Sequence, residues 1–98
     1  MALRNHESSD SCRLLNLGPG VGLMSDGRSG AAMRLVLREG EVQLNQHAFA
    51  ILQLCDGSRS RKRVVADAIL RSSGAMRATD VVEFLSAAQS RGWIIESD

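Results

Sequence analysis

The residues that could perform chemistry are few and far apart in this chain. The two histidines are His6, in a polar stretch at the start, and His47. The two cysteines, Cys12 and Cys55, do not form a CxxC unit, and no Cys/His cluster has the spacing of a metal site. Cys55 falls on an apolar helical stripe, which predicts a buried thiol that packs as a small hydrophobic group. We therefore expect no metal site and no cofactor.

Sequence motifs of catalysis and nucleotide binding are also missing. Gly18, Gly20 and Gly22 suggest a GxG element, but no buried strand precedes them, as the dinucleotide fingerprint requires. No serine lies in a nucleophile elbow. The carboxylates near the predicted helices are typical of caps and solvated faces: Asp56, Asp67, Asp80 and Glu83. The sequence therefore predicts a protein that is not an enzyme.

Composition and charge narrow the possible partners. The chain has 98 residues, 44% of them hydrophobic, and a formal net charge of +1. This suits one globular domain and gives no general attraction to nucleic acid or anionic membranes. Two phenylalanines, one tryptophan and no tyrosine are too few to stack single-stranded nucleic acid. No apolar run approaches the ~18 residues of a membrane span, and residues 1–12 lack the apolar core of a secretory signal. We expect a cytoplasmic protein without a membrane partner.

The rest of the chain is organised around residues 41–57, which predict a strand, a helix cap, a helix and a stop. Val42 and Leu44 alternate with polar neighbours, the pattern of a half-buried strand. Asn45 is a favourable N-cap, because its side chain can accept from a free N–H of the first turn. An apolar helical stripe follows, and Gly57 can adopt the left-handed conformation after it. The stripe consists of Ala48, Ile51, Leu52 and Cys55.

Two further strands are predicted upstream, over residues 21–24 and 31–38. We expect Glu39-Gly40 to form a tight turn between the strand at 31–38 and the strand at 41–44. With a two-residue loop, the apolar faces match and a charge pair forms across the strands. The expected cross-strand pairs are Leu37 with Val42, Leu35 with Leu44 and Arg38 with Glu41. A bulge at Gly40 would shift this register by one residue.

Two more helices complete the predicted fold. The second runs over residues 60–72 with Ser60 as its cap, and the third over 79–91 with Thr79 as its cap. Residues 93–95 pack back onto the domain, either as a loop or as a short extra strand. The fold class is α+β and winged-helix-like, with a small antiparallel sheet of about three strands followed by three helices. Residues 1–17 are expected to be a disordered tail, and residues 18–98 the domain.

A surface for binding is the function that remains. In a meander the strand at 41–44 lies at the sheet edge, where unpaired main-chain groups can accept a peptide as an added strand. The alternative is an edge covered by the terminal segment or by self-association. On the third helix, Val82 is apolar where a solvated position would tolerate charge. Val82 either belongs to the periphery of the core or forms part of a groove beside the edge.

The order and spacing of these residues resemble the PqqD family. Its members typically read L-N-x-x-A-x-x-I-L-x-L-C-D-G, and this chain matches at Leu44, Asn45, Ala48, Ile51, Leu52 and residues 54–57. Later family motifs are similar to Arg59-Ser60 with Val64-Val65, to residues 80–85 and to Gly92-Trp93-Ile94. Upstream, Pro19-Gly20-Val21 is similar to the family's strand start, although Gly22 stands where an arginine is common. The resemblance covers roughly residues 19–95.

The resemblance implies a RiPP recognition element, a non-catalytic peptide chaperone. Such a domain binds the leader of a ribosomal precursor peptide, here PqqA-like, by strand addition. It then presents the leader to a PqqE-like radical S-adenosylmethionine (SAM) enzyme, in pyrroloquinoline quinone biosynthesis or a related pathway. The implied strand and groove residues are Glu41, Val42, Gln43, Leu44, Val82, Leu85 and Gln89.

A basic cluster at the start of the second helix needs its own explanation. Arg59, Arg61, Lys62 and Arg63 crowd the end of a helix where the macrodipole disfavours positive charge. The cluster is either a solvated face or a docking patch for an acidic surface of the modifying enzyme.

Two functions of other classes compete with the peptide chaperone. One is a winged-helix DNA-binding protein, although Asp80 and Glu83 on the third helix would repel phosphates. The other is a structural domain that forms a homodimer through the edge strand.

Overall fold

Within residues 13–25 and 33–97, the fold combines two small antiparallel sheets with three helices. The structure is a computed structural model that describes residues 13–25 and 33–97. Its elements are, in chain order, β1 (Leu14–Leu17), β2 (Gly22–Ser25), β3 (Met33–Leu37), β4 (Gly40–Gln43), α1 (Gln46–Leu54), β5 (Asp56–Ser60), α2 (Arg61–Arg71), α3 (Ala78–Ser90) and β6 (Ile94–Ser97). The strands pair in the orders β2-β3-β4 and β5-β1-β6. The α+β class is confirmed, and there is one more sheet than the sequence predicted.

The hairpin between β3 and β4 turns earlier in the chain than we expected. Leu37 pairs with Gly40 and Leu35 with Val42, so that Arg38-Glu39 forms the two-residue loop. Gly40 has a φ of +150°, which favours glycine, directly after this loop. The predicted pairs Leu37–Val42, Leu35–Leu44 and Arg38–Glu41 are therefore wrong.

The shift in register amounts to two residues, and this explains why the apolar faces still match. Because side chains alternate with a period of two along a strand, a two-residue shift leaves each side chain on its original face. Leu35 is fully buried and Val42 half-buried. Glu41 forms an ion pair with Arg34 (Nη1 to Oε1, 2.9 Å) instead of Arg38.

The second sheet contains two strands that the sequence did not predict, β1 and β5, and the terminal segment forms its third strand, β6, which is the second of the two alternatives given above. β1 lies in its centre between β5 and β6, and Leu15 in β1 is fully buried. The predicted tail therefore extends too far, because residues 14–17 belong to the fold; residues 1–12 lie outside the described ranges. β5 has the polar sequence DGSRS and pairs through its backbone with β1. β6 contains Ile94 and Ile95 of the predicted terminal segment.

Helix capping is correct for two of the three predicted caps. The Ala48 N–H donates to Asn45 Oδ1 (2.7 Å), and the Arg63 N–H donates to Ser60 Oγ (3.3 Å). The predicted Thr79 cap is wrong, because α3 begins at Ala78 and Thr79 lies inside its first turn. Its N-cap residue is Arg77, which makes no side-chain capping bond.

The core lies between the helices and the inner faces of both sheets. α3 contributes Val81, Leu85 and Ala88, which are buried as a stripe at positions i, i+4 and i+7. Burying one aliphatic side chain stabilises the folded state by roughly 1.5–3 kcal/mol. Burial of this stripe therefore fixes how α3 is rotated about its axis. The most fully buried large side chains are Leu15, Leu35, Leu52, Leu54, Leu85 and Ile94.

The Cys55 thiol is free and buried, as the sequence predicted. Burial raises the pKa of Cys55 from 9.0 to about 12, with a smaller contribution from the negative charge of Asp56. Because the folded state favours the neutral thiol, the contribution of Cys55 to the free energy of unfolding is fully present below pH 9. This contribution is lost as the pH rises towards 12.

We expect Cys55 to resist thiol reagents in the folded protein. In a Cys12→Ser variant, which isolates Cys55, Ellman's reagent at pH 8 should react only after urea unfolds the chain. The control is the same measurement in 6 M urea, where the thiol should react at the rate of a free cysteine. Fast reaction in the native state would contradict the burial of this side chain.

Candidate functional site

The outer edge of β4 offers main-chain groups to a partner. The Leu44 N–H donates to the Met33 carbonyl oxygen (2.9 Å), so Leu44 bonds inward to β3. In an antiparallel ladder the bonded pairs alternate, which makes Val42 bond inward as well. The N–H and C=O groups of Glu41 and Gln43 therefore point away from β3. Within the described ranges no strand pairs with this edge.

A groove of about 300 Å³ lies beside this edge, between β4 and one face of α3. On the strand side its walls include Val42 and Leu44, whose side chains point towards the helices. Its full lining is Val42, Gln43, Leu44, Asn45, Ala48, Phe84, Ala87, Ala88, Arg91 and Trp93. The predicted strand residues 42–44 thus meet at one groove, and Glu41 continues the same edge.

The α3 wall of this groove follows from helical spacing. Phe84, Ala87, Ala88 and Arg91 occur at i, i+3, i+4 and i+7, which places them on one face. After the helix the chain turns at Gly92, which has a φ of +81°, and presents Trp93. The Arg91 guanidinium lies 5.3 Å from the centre of the Trp93 ring, a cation–π contact. The groove is therefore mostly apolar, with one positive charge at the end of α3.

The three α3 residues that we predicted for this groove lie elsewhere. Leu85 is fully buried in the core, and Val82, 41% exposed, faces α2. Gln89 accepts a hydrogen bond from Arg61 and donates one to Glu96 (3.3 Å). The helix wall of the groove beside β4 is formed instead by another face of α3, which includes Phe84, Ala87 and Arg91. The sequence signal for the groove face of α3 is the helical spacing from Phe84 to Arg91, with Trp93 two residues after Arg91.

The basic cluster has internal partners that the sequence did not reveal. Arg59 Nε lies 2.8 Å from Asp67 Oδ2, and Arg63 Nε lies 3.5 Å from the same oxygen. Arg61 lies 3.6 Å from Glu96 Oε2. The fold therefore supplies carboxylate partners for Arg59, Arg61 and Arg63. Such partly exposed pairs contribute about 0–1 kcal/mol each, but they hold the arginine side chains in place.

Among the described residues, no three histidine, cysteine, aspartate or glutamate side chains are close enough to hold a metal ion. In the same ranges no helix has the length and apolar character needed to cross a bilayer.

The family model of coenzyme PQQ synthesis protein D (PqqD) matches residues 23–94. The chain belongs to the PqqD family. The match includes β3, β4 and all three helices, so the edge and its groove lie within the PqqD region, whereas β1 lies outside it.

The chain is also similar to one curated protein and to one solved structure. A protein named PqqA binding protein, from Methylococcus capsulatus (strain ATCC 33009 / NCIMB 11132 / Bath), is 38% identical over 58 residues. This alignment covers 59% of the chain and 62% of the relative. The structure of the heterocyclase TruD matches 87% of the chain with a TM-score of 0.63 and 16% identity, over 12% of the heterocyclase chain. At this identity the TruD match shows a shared fold alone.

The orientation of α3 in the fold predicts different losses of stability for substitutions of two of its residues, Leu85 and Val82. Leu85→Ala should lower the free energy of unfolding by about 2–5 kcal/mol, because it leaves a cavity in the core. Val82→Ala should lower the free energy of unfolding by less than about 1 kcal/mol, because that side chain is largely exposed. Urea denaturation of both variants measures the difference. Equal losses would contradict the rotation of α3 described above.

Proposed function

We propose that this chain is a non-catalytic peptide chaperone. It binds the leader of a ribosomal, PqqA-like precursor peptide and presents it to a radical SAM enzyme, in pyrroloquinoline quinone biosynthesis or a related pathway. The observation that carries the proposal is the open edge of β4 beside an apolar groove, in a chain of the PqqD family. The name of the Methylococcus relative supports a PqqA-like peptide as the ligand.

The proposed binding mode is strand addition. The main-chain groups of Glu41 and Gln43 pair with the leader, while alternate leader side chains point into the groove. There they meet Phe84, Ala87 and Trp93. Because these walls are apolar, we expect apolar residues at every second position of the bound leader.

DNA binding has less support than peptide binding. The exposed side chains at the start of α3, where a recognition helix would meet DNA, include Asp80 and Glu83. Carboxylates at this position repel the phosphate backbone. Arg59, Arg61 and Arg63, which could have attracted it, are within ion-pair distance of carboxylates in the fold.

The strand-addition mode predicts that proline at two adjacent edge positions has opposite effects. Gln43→Pro removes an N–H that points outward, so the fold should survive and leader affinity should fall tenfold or more. Val42→Pro removes an N–H that bonds to β3 and should destabilise the domain itself. Leader affinity is measured by anisotropy of a labelled PqqA-like peptide, and folding by circular dichroism.

Trp93 gives an independent measure of leader binding, because it is the one tryptophan of the sequence and lines the groove beside β4. Addition of a tryptophan-free leader should shift its fluorescence to shorter wavelength in the wild type. A folded Gln43→Pro variant should show the shift only at much higher peptide concentration. Unchanged affinity in that variant would overturn strand addition at β4.

A further inference from the structure

A second groove lies on the other side of α3, between α2 and α3. Its volume is about 630 Å³, twice that of the groove beside β4. Val65 and Ile69 of α2 and Val82 of α3 form its apolar floor, and Arg61, Lys62 and Glu96 are among the residues at its rim.

The two grooves use opposite faces of the same helix. Val82 and Phe84 are two residues apart, which corresponds to a rotation of about 200° around the helix axis. The core stripe of Val81, Leu85 and Ala88 lies between them. A ligand in one groove therefore leaves the other groove accessible.

The floor of the α2–α3 groove is apolar and open to solvent. Val82 is 41% exposed, while Val65 and Ile69 are half-buried. Contiguous exposed apolar surface rimmed by polar groups marks sites of protein interaction. A groove between two helices suits the apolar face of an amphipathic segment.

Charge at the rim indicates the chemistry of the partner. Arg61 lies near Glu96 (3.6 Å), whereas Lys62 is an exposed cation at the start of α2. The N-terminal end of α2 adds partial positive charge at the same place. The surface therefore favours a partner with acidic residues beside an apolar face.

We propose that the α2–α3 groove docks the radical SAM enzyme through an amphipathic segment with an acidic flank. This inference depends on the proposed function, which supplies the enzyme as a partner. A second copy of the chain fits less well, because a two-fold interface would bring together two grooves whose linings each include three cations and one carboxylate, Arg13, Arg61, Lys62 and Glu96. Of the basic cluster, Arg61 and Lys62 belong to this groove, whereas Arg59 and Arg63 line a depression with Asp67.

Two substitutions test the groove, each with a matched control. Val82→Glu places a negative charge on the apolar floor, and Met24→Glu makes the same kind of change at a 53% exposed residue on β2. Lys62→Glu reverses the rim charge, and Arg77→Glu reverses an exposed charge just before α3. The full chain is measured against the PqqE-like enzyme of the same organism by biolayer interferometry at low and high salt. Leader affinity is measured in parallel with the labelled PqqA-like peptide.

We expect Val82→Glu and Lys62→Glu to weaken enzyme binding tenfold or more and to leave leader affinity within twofold. The effect of Lys62→Glu should shrink at high salt. Both controls should bind the enzyme like the wild type. Enzyme binding that is unchanged in both groove variants, or absent in the wild type, overturns the docking proposal while leader binding remains intact.

Two other results separate the remaining explanations. Loss of leader affinity in Val82→Glu, with enzyme binding retained, would assign this groove to the peptide and overturn the docking proposal. A wild-type dimer in sedimentation that Val82→Glu converts to a monomer would make the groove an interface between copies. Failure of the proposed function itself would appear separately, as a wild-type chain that does not bind the leader.

Discussion

The burial of one stripe on α3 determines which faces of this helix are left to line the two grooves. Val81, Leu85 and Ala88 are at most 1% exposed, and removing Leu85 alone would cost about 2–5 kcal/mol. Because that cost is a large part of the stability of a small domain, α3 cannot rotate about its axis. Its two remaining flanks are thereby fixed, with Phe84 and Arg91 beside β4 and Val82 beside α2.

The sequence predicted the features that depend on local chemistry. The Asn45 and Ser60 caps, the α1 stripe and the edge position of β4 follow from patterns within a few residues, and the structure contains them. The flank of α3 that lines the groove beside β4 could not be predicted in the same way. Its apolar residues cover more than half of the helix circumference, so periodicity alone does not decide whether Val82 or Phe84 faces the core. Packing against the remaining elements makes that choice.

Non-local pairing explains the other differences. β5 has a polar sequence and becomes a strand because β1, about forty residues earlier in the chain, supplies its hydrogen-bond partners. Arg61 likewise finds Glu96 through the folded chain rather than through neighbours in sequence. The counter-ion of Arg61 therefore comes from a distant segment, whereas Arg63 and Arg59 pair with Asp67, four and eight residues later in the sequence. In the structure three of the four residues of the basic cluster are within ion-pair distance of carboxylates, and Lys62 is an exposed cation at the rim of the α2–α3 groove.

The short edge of β4 places a limit on what main-chain pairing can contribute. Two N–H and two C=O groups at about 0.5–1.5 kcal/mol each supply roughly 2–6 kcal/mol, whereas micromolar affinity requires about 8. Ordering each leader residue also costs about 1–2 kcal/mol. Pairing alone is therefore insufficient, and apolar side chains entering the groove, at about 1.5–3 kcal/mol each, must supply the remainder. In the proposed binding mode the edge would set the direction and register of the leader, while Phe84, Ala87 and Trp93 would select among leaders.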